Sequence, residues 1–201
     1  MKKTIIGALV GAIIIFAWQF LSFGLANLHG PAQTYTDKQD VIMSFLKNQG
    51  IQEGGYLMPT APSTASRNEM EAAMKAYDGK PWARIEYHDV AGNNTNAMMM
   101  NMLRGLLVNI FTVLLLCWII GKMNGPTFRT IVATAMSVGL IAFLNEPYTG
   151  FIWYKTFDIW AYFLDAIVAW GLTGLWLGWW LRRQKPHMSS VRIAEREKEL
   201  A

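Results

Sequence analysis

The chain has 201 residues, is 53% hydrophobic and 13% aromatic, and carries a formal net charge of +4. That is too apolar for an ordinary soluble domain of this length. The positive charge does not mark a nucleic-acid binder, because the basic residues are sorted by their position between apolar runs instead of forming one patch.

The first apolar run, residues 4–24, follows Lys2 and Lys3 and is long enough to cross a bilayer, which takes about 20 residues. A cleaved secretory signal is the rival reading, with "GLA" at Gly24 to Ala26 as its cut. Such signals have an apolar core of about 7–15 residues, so an uncleaved anchor is expected.

Residues 25–96 predict a small α+β extracytoplasmic domain. Val41, Ile42, Phe45 and Leu46 form the stripe of an amphipathic helix ending near Gly50. "GGYLMP", from Gly54, reads as a strand. The stretch "TAPSTAS" that follows reads as a surface loop. Ser66 to Glu69, "SRNE", fits a capping box that opens a helix through Met70, Ala73, Met74 and Tyr77. "WARIEYHDV", from Trp82, alternates as a second strand. The methionines of "NNTNAMMMNM" have thioethers suited to Cu(I), but no Cys or His pair accompanies them. They read as a flexible apolar entry into the next helix.

Three more transmembrane helices are predicted over 97–121, 128–144 and 160–181, followed by a charged cytoplasmic tail, 182–201. Placing Lys2, Lys3, Lys122, Arg129, Arg182 and the tail inside satisfies the positive-inside rule at every short loop. Aromatic residues from Tyr148 to Tyr162, and Trp176, Trp179 and Trp180, mark the two interfaces. The fold expected is a mainly α membrane protein with four transmembrane helices and both termini cytoplasmic. Its α+β domain lies between helices 1 and 2. The single cysteine, Cys117, makes no internal disulfide.

Charge inside a membrane helix is costly, so Arg104 is the first candidate for function. It lies ~10 Å in from the outer end of its helix at about 1.5 Å per residue. Asp165, Gln19 and Glu146 fall at a similar depth. The expectation is an Arg104–Asp165 pair completed by Gln19, Asn101 or Glu146, acting as a packing clasp or as a site for a proton, anion or lipid headgroup. Small residues Gly7 and Gly11, Gly174 and Gly178, and Ala135 and Gly139 predict close helix packing, helices 1 and 4 meeting in the inner leaflet. The same small-residue faces suit a partner protein.

No nucleophile elbow, P-loop, zinc-helix or nucleotide motif occurs. His29 and His88, with Asp89 or Glu86, make a poor metal set, and no metal or cofactor is expected. The order "FAWQFLSFGLANLHG", "GGYLMP", "ARIEYHDV" and a Met-rich entry to three helices resembles a family of small bacterial inner-membrane proteins of no assigned activity. That resemblance implies a layout and a bacterial inner membrane, and it carries over no functional residue. The expected function is non-enzymatic, an accessory or assembly subunit of a larger membrane complex that contacts lipid and partner subunits. The alternative is a small-solute or lipid-handling protein using the Arg104/Asp165 level.

Overall fold

The computed structural model describes residues 2–92 and 95–182. Four of its helical spans are long and apolar enough to cross a membrane, as in a multi-pass membrane protein. The charged tail expected over 182–201 lies outside the described residues except for Arg182. The chain divides into two units: the membrane unit, Met1–Thr34 with Met99–Ala201, and a polar unit, Tyr35–Met98.

In the polar unit, helix α2 (Gln39–Asn48), strand β1 (Gly54–Met58), helix α3 (Arg67–Tyr77) and strand β2 (Ala83–Tyr87) follow in the expected order. The strands pair antiparallel, Tyr56 opposite Ile85. Ser66 caps α3 reciprocally: its Oγ accepts from the Glu69 amide, and the Glu69 carboxylate accepts from the Ser66 amide. Those bonds hold the Glu69 carboxyl below its ordinary range. Arg67 and Glu71 add an exposed i, i+4 pair at 3.2 Å, worth a few tenths of a kcal/mol.

In the membrane unit, α1 (Lys2–Phe20) and α7 (Ile159–Arg182) run antiparallel and are stitched together by side chains on backbone. Trp180 Nε1 donates to the Lys3 carbonyl at 2.9 Å, Trp176 Nε1 to Gly7 at 3.0 Å and Thr173 Oγ1 to Gly11 at 3.4 Å. Gly7 and Gly11 permit this approach, because a Cβ on Gly7 would stand 2.9 Å from the Trp180 ring and one on Gly11 would stand 3.2 Å from Thr173 Cγ2.

The small residues of α7 face elsewhere. A Cβ on Gly174 would meet Ala135 at 2.9 Å, and one on Gly178 would meet the Phe128 ring at 2.8 Å. Both neighbours belong to α5 (Phe128–Phe143). Gly139 of α5 returns the contact against Trp170 and the Ala166 carbonyl. Helices α1 and α7 therefore touch, but their two glycine pairs do not face each other. Trp180 and Leu177 fill the space over Gly7, Val113 and Thr173 the space over Gly11, and the bare side of α7 receives α5. Helix α4 (Thr95–Gly121) contributes Val113, Leu116, Cys117 and Ile120 to the same buried core.

The third span runs further than expected. Helix α5 does not stop before Asn145-Glu146-Pro147. It continues as a π-helical turn, Leu144–Tyr148, into α6 (Thr149–Trp153). Proline clashes with the preceding turn of an α-helix, and the wider π turn makes room for its ring. Thr149 Oγ1 donates to the Leu144 carbonyl at 2.8 Å.

Candidate functional site

The polar centre forms where α1 ends and α7 begins. Past Phe20 the chain widens into a π turn, Leu21–Leu25, closed by the Ala26 amide on the Leu21 carbonyl at 2.7 Å. Asn27 then adopts a left-handed conformation (φ 47°), tolerated by Asn better than by most residues. The Leu28 amide donates back to the Ser22 carbonyl at 2.9 Å. This reversal turns His29 into the bundle, where it is 2% exposed.

Helix α7 meets it with one face. Asp158, Tyr162 and Asp165 are spaced i, i+4, i+7 and so line up along the helix. His29 Nδ1 lies 2.9 Å from Asp158 Oδ2, and its Nε2 lies 3.0 Å from Asp165 Oδ2. Trp18 Nε1 donates to Asp165 Oδ1 at 2.8 Å. The imidazole stacks flat on Phe23 at 3.7 Å between centroids and takes the Tyr162 ring edge-on at 4.6 Å. Asp158 sits at the start of α7, where the helix dipole favours negative charge.

Hydrogen counting constrains the centre. A neutral imidazole donates through one nitrogen only. Two carboxylate partners therefore require either imidazolium between two carboxylates or neutral imidazole with one protonated carboxyl. Both descriptions hold the same protons and the same net negative charge.

The predicted cluster is divided by the structure. Asp165 lies in this centre, bound to His29 and Trp18. Arg104 is exposed on α4, and no ion pair joins it to Asp165 among the described residues. Gln19 accepts from Asn109 Nδ2 at 2.8 Å, a separate link between α1 and α4. Asn101 and Glu146 are exposed. A depth counted along a helix does not give direction around its axis. Sequence reasoning gave His29 only a place in a poor metal set and Tyr162 only one in the aromatic belt, and it did not single out Asp158 or Trp18. The signal available was the acidic-aromatic-acidic stripe of "DIWAYFLD" on one helix face.

One atom in this region is unsatisfied. Ser22 Oγ is fully buried and finds no hydrogen-bond partner. Elsewhere, the polar unit carries an open apolar groove of about 560 Å³ lined by Leu57, Pro59, Met70, Met74 and Trp82 among others. His88 lies 3.6 Å from Glu53 on an exposed surface, and no group of three metal-ligating side chains is found among the described residues.

Comparison of the chain with protein-family models, curated proteins and solved structures returned no match.

Proposed function

We propose that this chain is a non-enzymatic multi-pass protein of a bacterial inner (cytoplasmic) membrane, acting as an accessory or assembly subunit of a larger membrane complex. Both termini lie in the cytoplasm and the Tyr35–Met98 unit lies outside, the arrangement favoured by the basic residues at the helix ends. The observation that carries the reading is the closure of the polar centre. Both His29 nitrogens are taken by Asp158 and Asp165, the other Asp165 oxygen by Trp18, and the nearby Asn109 amide by Gln19 in a separate link. A site built for substrate keeps donors or acceptors aimed at open space, whereas a closed set fixes helix packing. Recognition is then left to surfaces, and the apolar groove of the polar unit is one such surface.

Extraction of the tagged protein in mild detergent, followed by mass spectrometry of what accompanies it, tests the proposal. A stoichiometric set of larger membrane subunits is the expected result. A lone monomer carrying nothing overturns it.

The unpartnered Ser22 hydroxyl favours a second reading, a small solute or lipid handled at the level of Asp165. On this reading the ligand lies at the Ser22 hydroxyl and Asp165, away from Arg104. Native mass spectrometry showing a bound small molecule lost in both Ser22→Ala and Asp165→Asn is its signature.

A further inference from the structure

Helix α2 carries a broad apolar face that the fold does not cover. Val41 is 71% exposed, Phe45 61%, Met43 48% and Ile42 47%, and only Leu46 on that face is buried. At about 100° per residue Val41, Phe45 and Ile42 fall within one arc of about 100°, Met43 lies about 100° beyond Ile42, and Asp40, Ser44 and Lys47 occupy the opposite side. Three large apolar side chains, Val41, Ile42 and Phe45, exposed together on a ten-residue helix mark a surface that meets something other than water.

The chain path restricts what that is. The membrane unit ends at Thr34, and α2 begins at Gln39. The link spans at most about 17 Å when fully extended. Tyr35, 75% exposed, lies within it, an amphipathic side chain of the type that anchors at the headgroup level. At its other end the polar unit runs directly into the membrane-crossing helix α4. The chain thus leaves the first membrane span and returns into α4, with α2 following the first of these connections in sequence.

We infer that α2 is an interfacial helix whose Val41–Phe45 face lies in the phospholipid surface, with Asp40 and Lys47 toward water. A helix of strong amphipathicity and low net hydrophobicity lies in the interface plane instead of crossing it. This assignment is independent of the proposed subunit role, because it concerns contact with lipid alone.

Site-directed spin labelling of the full chain in nanodiscs of phosphatidylcholine and phosphatidylglycerol tests it. The background is Cys117→Ala, which removes the one native thiol. Nitroxide at Val41→Cys, or separately at Phe45→Cys, is expected to be several-fold more accessible to oxygen and less accessible to a water-soluble nickel chelate than nitroxide at Asp40→Cys. Equal nickel access at all three positions overturns the inference, since the face is then aqueous. Exclusion of both relaxants from positions 41 and 45 also overturns it, since a protein then covers the face. Dipolar broadening between labels identifies that protein as a second copy. The two separate apolar positions keep the test decisive if one variant fails to fold.

Discussion

His29 is the residue on which the polar centre depends. It bridges Asp158 and Asp165 through its two ring nitrogens, so burial of the acidic pair depends on it. Removing one partner of a buried ionic set leaves the others uncompensated, at a cost of about 3–5 kcal/mol. His29→Ala is therefore expected to lose that much stability in denaturant titrations of the detergent-solubilised protein. Adding Asp158→Asn to His29→Ala should recover part of the loss, because it deletes one stranded charge. Losses that merely add would mean that the two side chains are not coupled. Arg104→Ala, on an exposed side chain, should change stability by less than about 0.5 kcal/mol. The contrast shows what sequence reading could reach at this scale. Counting residues from the helix ends put Asp165 and Arg104 at one depth. Five residues beyond Arg104, Asn109 turns inward to Gln19, and five residues rotate a helix by about 500°, leaving the two some 140° apart. A pairing argued from depth had no access to that angle. It also left out His29, whose position depends on a chain reversal that no helical periodicity encodes.

At the scale of elements, the α5–α7 contact is set by missing side chains. A methyl on Gly139 would collide with Trp170 and stand 2.7 Å from the Ala166 carbonyl, which is backbone and cannot swing away. Gly139→Ala should cost about 1–3 kcal/mol by overpacking. Gly105→Ala on α4, with nothing within 4 Å, should be tolerated. Thermal melts of the two variants in one detergent compare them directly, and equal melting points would remove the close-packing account. The cap of α3 gives a pH prediction. A carboxyl held low by its hydrogen bonds contributes stability that is present above its unfolded value and lost as the pH falls through its folded one. Helix α3 should therefore loosen as the pH drops below the ordinary value of 4.5. Ser66→Ala should move the Glu69 titration back up toward 4.5, read by carbon-detected NMR, and cost about 1 kcal/mol of helix stability. These elements were legible because their signals are local: Ser66 and Glu69 are three apart, and the strand around Tyr56 sits between glycine and proline. The π turn at Pro147 was not, since proline reads in sequence as a stop and the wider turn that accommodates it leaves no residue signature of its own.

At the scale of the whole molecule, the division into two units makes the arguments separable. The His29 centre, the Trp176 and Trp180 bonds to α1 and the Gly139 contact all lie within Met1–Thr34 and Met99–Ala201. The groove and the α2 face lie within Tyr35–Met98. Replacing residues 35–98 by a flexible Gly/Ser linker should therefore leave a membrane unit that melts within a few degrees of the intact chain. If the linker variant instead aggregates on extraction, the membrane unit needs the polar unit to fold, and stability cannot be apportioned between them. If it folds, co-purification distinguishes the surfaces. Partner subunits that dock on the groove should be lost with it, and subunits that pack on the transmembrane helices should remain. Retention of every partner would move recognition into the bilayer, where apolar faces of α1 and α4, with Ile13 and Phe111 more than half exposed, are among the uncovered surfaces.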